Sequence, residues 1–454
     1  RVTNTRFNES DFKSAIGYGN SDFTSVVRYN FNRLDIGIPE QGIGEQSLSQ
    51  KVQFPKQAVD NHIVSMHNNL YLNRFKLDAD FGYILNDRSE FEDSSDATLH
   101  MKLQTYNYDL KLHLPKTQKF ESIAGIQGMF QENSNFGQEL LIPDATTFDL
   151  GIFTTANYTW NKNVLQGGIR YDNRKISSNE HGGDGEENYF RKLNRSFHSF
   201  NASAGLKVAP VNNLTVRLNL ASGFRAPNLA ELTSNGVHEG TNRFEVGNVD
   251  LKNEQNYQVD LNIEYKGSHF EFFVNGFYNH ITNYISTRPT GEFVEDDQVY
   301  LYVQDDSLLF GGEAGIHLHP HPLDWLHIES TLESVTGKSA NGGYLASVPA
   351  NNWTNTLRTE FKNRNWLSEG FARIELQTTF AQANVSGFET ASDGYTLLNA
   401  GFGGQIKIGD IRFEANLNGN NLLDAFYIAH LSRLKSDGIA NMGRNIVIGI
   451  NFQI

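Results

Sequence analysis

The chain has 454 residues, no cysteine, and 38 Lys and Arg against 52 Asp and Glu, for a formal net charge of -14. The absence of cysteine excludes a disulfide framework and any thiolate metal or redox centre. The acidic balance lacks the basic face that nucleic acid requires, so no nucleic-acid partner is expected. No run of 18 apolar residues is present, which excludes a transmembrane helix. Hydrophobic content of 39% and a mean hydropathy of -0.46 resemble a soluble protein. A membrane-crossing strand, however, hides its apolar signal in alternation.

Taken in chain order, period-2 alternation predicts nineteen strands. They fall near 9-18, 21-34, 61-73, 75-88, 97-113, 119-132, 147-160, 163-177, 195-208, 212-223, 255-266, 269-287, 298-318, 323-336, 350-363, 367-383, 394-408, 411-423 and 443-453. The segment 255-266 shows the pattern: Tyr257, Val259, Leu261, Ile263 and Tyr265 share one face, and Gln258, Asp260, Asn262 and Glu264 the other. Nine short turns, such as Gly19-Asn20, Gly267-Ser268 and Gly409-Asp410, alternate with nine long polar loops. These loops lie near 35-60, 89-96, 133-146, 178-194, 224-254, 288-297, 337-349, 384-393 and 424-442. Short turns on one side and long loops on the other predict an all-β fold, a transmembrane antiparallel β-barrel in outer-membrane lipid. Propellers and sandwich arrays fit less well, because their strands are nearer 5 residues and no repeat of 40 to 50 residues is found.

Residues 1-454 read as part of one barrel domain, with no linker dividing them. Arg1 opens no signal peptide, so the start is expected to be truncated or processed. Bacterial barrels have an even number of strands with both termini in the periplasm. Nineteen strands therefore imply an odd number before Arg1: one would give 20, and three would give the 22 of plugged transporters. On that reading the N-terminal plug and first strands are missing from this chain.

The segment 220-267, LASGFRAPNLAELTSNGVHEGTNRFEVGNVDLKNEQNYQVDLNIEYKG, resembles the middle of TonB-dependent outer-membrane receptors. There a strand ending G-[FY]-R-x-P is followed by E-L, then G-N-x-x-L-x-x-E opens the next strand. The stretches 301-320 and 418-454 resemble the same family, although Ile454 replaces the usual terminal aromatic and Phe452 is its substitute. The loop NGVHEGTNRFEVGN, 235-248, is most similar to the zinc and transition-metal uptake branch, in which a histidine matching His238 binds metal. GQELLIP, 137-143, resembles a G-E-E-x-x-x-P loop of that branch, with Glu139 at its acidic position.

The metal-ligand candidates are therefore His238, Glu139 and the adjacent Glu239, since imidazole and carboxylate suit zinc and related ions. A weaker set, His181, Asp184 and Glu187, lies with Glu180 and Glu186 in a Gly-rich acidic loop. That loop reads first as a solvated segment. His317, His319, His321 and His327 surround a short turn. They are assigned to contacts with a plug or periplasmic water, with a late transit site as the alternative. His430 is assigned a structural role in the last long loop. No nucleophile elbow, HExxH or P-loop appears, and no catalytic constellation is expected.

The resemblance implies TonB-dependent active import, driven through TonB by ExbB-ExbD, and a plug that moves. The expected cargo is zinc or another transition-metal ion, with no cofactor required. The alternatives are a haem or siderophore receptor, to which Phe224, Arg225, Phe244 and Tyr427 would contribute, and, in a different class, a passive porin or structural outer-membrane protein.

Overall fold

The computed structural model describes residues 4-38, 49-183, 189-238, 243-294, 297-436 and 438-452, and at His238 the backbone alone. Strands β1 (Phe7–Gly19), β2 (Phe23–Gly37), β3 (Lys56–Leu72), β4 (Phe75–Phe91) and β5 (Leu99–His113) come first. Then follow β6 (Phe120–Asn135), β7 (Ala145–Trp160), β8 (Asn163–Ser178), β9 (Leu193–Val211) and β10 (Leu214–Arg225). A short helix α1 (Leu229–Thr233) leads into β11 (Asn235–His238) and β12 (Arg243–Val246). The chain continues through β13 (Glu254–Lys266), β14 (Phe270–Val294), β15 (Asp297–Leu318), β16 (Leu326–Ser339) and β17 (Asn352–Glu360). It ends with β18 (Leu367–Thr379), β19 (Tyr395–Ile408), β20 (Ile411–Asn420) and β21 (Asn445–Phe452).

All nineteen expected strands are present, and β11 and β12 are additional. Contacts separate two units. One comprises Arg1–Ala204, Ala221–Asn256 and Thr282–Asp305; the other comprises Gly205–Leu220, Tyr257–Ile281 and Asp306–Ile454. Within the first, β1 to β8 pair antiparallel, each with the next. Within the second, β15 to β21 do the same. Two-residue turns close several hairpins, and each needs a residue of positive φ because only such turns match the strand twist. Asn73, Asn161, Asn213 and Gly409 supply it. Asn tolerates this region and Gly has no Cβ to obstruct it.

Two expectations about loops are corrected. The stretch 224-254 is not continuous loop. It holds α1 and a β11–β12 hairpin, with Val237 opposite Phe244. β12 then runs parallel to the start of β15, from Arg243 opposite Gln298 to Val246 opposite Leu301. The stretch 288-297 is also mostly strand, because β14 reaches Val294 and β15 begins at Asp297. Cross-strand bonds hold this polar extension. Arg288 Nη2 lies 3.0 Å from Asp305 Oδ2, and Thr290 Oγ1 donates to the Val299 carbonyl at 3.3 Å. Hydrophobic alternation carries no signal for such bonds.

The strands have one apolar, exposed face and one polar face with internal bonds. Phe148 and Ile152 on β7 and Leu165 and Ile169 on β8 are exposed. On the other face of the same strands, Asp149 pairs with Arg174 and Asp172 with Arg170. A water-soluble sheet would bury that apolar face. Exposure of large side chains along successive strands is the pattern a lipid-facing surface requires. Among the described residues no helix is long and apolar enough to cross a membrane, so any crossing is made by strands.

On β13 the same division tests the orientation. Tyr257, Val259 and Leu261 are exposed, while Gln258 Nε2 donates to Asp260 Oδ1 at 2.7 Å and Arg217 Nη1 donates to Asn262 Oδ1 at 2.5 Å. Leu261→Arg is expected to cost about 2 to 4 kcal/mol near the bilayer midplane, and Gln258→Arg clearly less. Reversible unfolding titrations in lipid vesicles check this; equal costs would reverse the assignment of faces.

Candidate functional site

The long segment after β10 is fixed by a small apolar core. Ile176, Leu193, Phe197, Ala226, Leu232, Leu251 and Ile285 are buried together, with Phe224, Leu229 and Tyr302 packed against them. Helix α1 starts at a capping box: the Asn228 side chain accepts from Glu231 N at 2.8 Å, and Glu231 Oε2 accepts from Asn228 N at 2.9 Å. Two orphan N–H groups are satisfied reciprocally, which stabilises so short a helix. Gly247 packs under it, where a Cβ would meet the Thr233 nitrogen at 2.5 Å.

Arg225, the arginine of the G-F-R-A-P stretch, joins this segment to the strands. Its Nη1 donates to both Glu231 oxygens, at 2.6 and 2.8 Å. Its Nε and Nη2 donate to Glu254, at 2.9 and 2.7 Å. Glu254 Oε1 also accepts from Ile285 N at 2.7 Å. Both carboxylates are buried, so they require the guanidinium.

Beside this lies a cavity of about 360 Å³, lined by Gln127, Asp149, Arg170, Asp172, Arg174, Phe224 and Arg225 among others. Arg174 grips Asp149 with Nε at 2.6 Å and Nη2 at 2.5 Å. Arg170 Nε lies 2.8 Å from each oxygen of Asp172. Gly151 leaves room for that pair, since a Cβ there would meet Asp172 Oδ1 at 2.6 Å. Three guanidinium groups, Arg170, Arg174 and Arg225, thus face four carboxylates, Asp149, Asp172, Glu231 and Glu254. The lining itself carries these three guanidinium groups and two of the carboxylates, Asp149 and Asp172, and every arginine is already paired. These pairs went unrecognised in the sequence, although Arg170, Asp172 and Arg174 at spacing two carried the signal.

The predicted metal ligands divide as follows. The loop of Glu139 folds back on β5: Gln138 N and Glu139 N both donate to the Thr98 carbonyl, at 2.9 and 3.0 Å. Gly137 permits this approach, because a Cβ would meet His100 N at 2.5 Å. Glu139 itself is exposed. His238 ends β11 opposite Arg243. The two segments touch through their backbones: Asn235 N donates to the Leu141 carbonyl at 3.4 Å, and a Cβ on Gly236 would lie 3.4 Å from the Leu140 oxygen. Glu239, Asp184, Glu186 and Glu187 lie outside the described residues, as does the side chain of His238. His181 is exposed and bridges to Phe190, and Glu180 accepts from the Tyr189 hydroxyl at 3.2 Å.

Of the residues expected to bind a chelate, Phe224 and Arg225 line the cavity, and Phe244 lies in β12. Tyr427 packs on Tyr395 with ring centroids 4.4 Å apart and belongs to the other unit. His430 Nδ1 lies 2.9 Å from Ser392 Oγ and 3.2 Å from Lys435 Nζ. It ties two long loops.

The chain belongs to the family described as TonB dependent receptor-like, beta-barrel, which it matches over residues 2-422. It is therefore an outer-membrane β-barrel receptor of the TonB-dependent class, located in the outer membrane of a Gram-negative bacterium. Its fold is similar to the solved copper transporter OprC, with a TM-score of 0.80 and 14% identity, covering 100% of this chain and 72% of that one. It is similar to the FrpB iron transporter (F3-3 variant) from Neisseria meningitidis, with a TM-score of 0.74 and 15% identity over 98% of this chain and 72% of that one. A further likeness is to a double mutant of the Serratia marcescens hemophore receptor HasR in complex with its hemophore HasA and heme. There the TM-score is 0.71 and the identity 14%, over 98% of this chain and 71% of that one.

Arg225→Met is expected to destabilise the α1 segment by about 2 to 3 kcal/mol, because two buried carboxylates lose their partner. The figure lies below that of a fully buried pair, since the guanidinium is 42% exposed. Hydrogen exchange at α1 measures it. Burial, with Lys435 beside it, pushes the His430 imidazole below its ordinary value of 6.5, against an opposing pull from Glu389. A base with a lowered folded pKa contributes stability above the unfolded value and loses it as pH falls through 6.5 toward the folded value. Exchange protection of the β20–β21 loop is expected to fall over that window, and His430→Gln to flatten the dependence.

Proposed function

We propose that this chain is the barrel part of an active importer of a transition-metal ion, with zinc as the first candidate. The observation that supports this reading most is the meeting of two long loops. The segment of Glu139 and the strand of His238 touch at Leu141 and Asn235, so an imidazole and a carboxylate can be offered to one ion. A ring nitrogen and a carboxylate oxygen would each lie about 2.0 to 2.2 Å from the ion. A shell completed by Glu239, plug residues and water would hold the ion until the plug moves. Splitting the ligands between barrel and plug makes release mechanical.

The charge of the neighbouring cavity points the same way. An anionic siderophore or a haem propionate wants unpaired arginines. Arg170, Arg174 and Arg225 already serve four carboxylates, so none of them is left for the carboxylate of a chelate. The volume of about 360 Å³ is small for a large chelate, near the lower end for ligand pockets. A metal-chelate receptor remains the second reading, favoured by the aromatic Phe224 at the cavity wall and by the haem complex of the HasR structure.

Coupling follows the family. The energy reaches the receptor through TonB, with ExbB-ExbD as its motor, and a plug domain closes a barrel of 22 strands. The protein performs transport and no chemical turnover. A passive porin would instead need a permanently open lumen, and conductance of the full-length protein in planar bilayers separates the two.

His238→Ala and Glu139→Ala are each expected to weaken zinc binding by about 10-fold or more, as loss of a metal partner does. Growth on limiting zinc should fall in parallel. Unchanged binding in both variants would move the chelate reading to first place and leave the barrel assignment standing.

A further inference from the structure

Five histidines gather where β15 turns into β16 and at the adjoining turn before β14. His317, His319 and His327 each offer a ring nitrogen, and these nitrogens lie within 4.8 Å of one another. Strand register explains the grouping. His317 stands opposite Glu329, and His327 stands opposite Arg358. His317 and His319 share a face because they are two apart. All of these residues belong to one unit and to the short-turn end of the strands.

We infer that His317, His319 and His327 form a second transition-metal site, at the periplasmic rim of the barrel, with Glu329 as the fourth ligand. Four ligands at about 2.0 to 2.1 Å in a tetrahedron stand about 3.3 Å apart. His317 Nε2 lies 3.1 Å from His327 Nδ1, and Glu329 Oε1 lies 3.6 Å from His317 Nε2. His319 Nε2 is 3.3 Å from the other nitrogen of His317, so a small rotation of its ring completes the set.

The surroundings set at His327 the protonation that a metal needs. Arg358 Nη2 donates to His327 Nδ1 at 3.3 Å, so this nitrogen carries the lone pair. His327 Nε2 then carries the hydrogen. It is buried and has no hydrogen-bond partner, although Glu360 Oε1 is only 3.3 Å away. That arrangement is one small movement from a carboxylate–histidine–metal triad, in which the outer carboxylate orients the ring and raises its basicity. When the ion takes the lone pair, Arg358 retains Glu360, whose Oε1 lies 2.9 Å from its Nη1. One guanidinium, Arg358, and two carboxylates, Glu329 and Glu360, surround three imidazoles, so the local field favours a cation.

A second group stands outside the first. Asp324 Oδ1 lies 3.6 Å from Nδ1 of both His269 and His321, and all three are exposed. His319 N donates to the His269 carbonyl at 2.8 Å, which links the two groups. The outer group is too open to hold an ion against water. It gives an ion leaving the inner site a next partner.

This inference does not depend on the loop site of His238 and Glu139, and one experiment separates them. Zinc is titrated calorimetrically into the full-length receptor in detergent, and cobalt is titrated with its visible spectrum as a geometric readout. Wild type is expected to bind an ion at the rim with a tetrahedral cobalt spectrum. His319→Ala should weaken that binding by at least about 10-fold and abolish the spectrum, and Glu360→Gln should weaken it by about 10-fold. The paired variant His238→Ala, Glu139→Ala should leave the spectrum intact. His317→Gln, a conservative replacement, repeats the test should His319→Ala fail to fold. Unchanged stoichiometry, affinity and spectrum in a folded His319→Ala or His317→Gln would overturn the site and leave a hydrogen-bonded histidine relay. Loss of binding in the loop variants alone would overturn the rim site while supporting the loop site.

Discussion

The period of two along a β-strand is the constraint from which the rest follows. Successive side chains point to opposite faces, so one strand can meet lipid and polar groups at once. The apolar positions, such as Ile152, Ile169 and Leu261, are left exposed because no protein layer has to cover them. The backbone groups are paired between neighbouring strands, from Phe7 opposite Ile36 through Phe413 opposite Phe452. A membrane offers no water to satisfy unpaired groups, which makes this pairing a condition of the fold.

The polar face is built from pairs, and the pairs govern what the interior can hold. Arg174 with Asp149 bridges two neighbouring strands, Arg170 with Asp172 lies along one strand, and Arg225 binds two glutamates that come from a helix and a strand. Such groups fill a wall with charge yet leave little net charge of one sign. The same logic makes Arg225 an anchor rather than a ligand-binding cation. Its carboxylates are buried, and their desolvation is offset only while the guanidinium is between them.

Both proposed metal sites depend on a meeting of segments. At the long-loop end, a hairpin and a loop bring their backbones together at Asn235 and Leu141. At the short-turn end, strand register places His317 opposite Glu329 and His327 opposite Arg358, and His319 follows β15 directly. In the first case loops create the meeting. In the second the rigid ladder does, and positions on paired strands are held more precisely than positions on loops.

The sequence by itself determined the strands, their alternation and the sidedness of short turns and long loops. Asn161 and Gly409 were legible as turns because their chemistry is local, whereas Asn73 was read as the end of a strand. The family resemblance lay in a contiguous stretch, so it too could be read directly. Only the tertiary structure decided which charges pair, that the segment 224-254 folds into α1 and a hairpin, and that β14 and β15 extend through polar residues. It also grouped His327 with His317 and His319, which the sequence had assigned to a plug or water. The physical reason is the same in each case. Alternation reports the environment of one strand, whereas Glu254 reaching Arg225 or Arg358 reaching His327 depends on register between segments about 30 residues apart. Register is fixed by the paired ladder, and no single strand contains it.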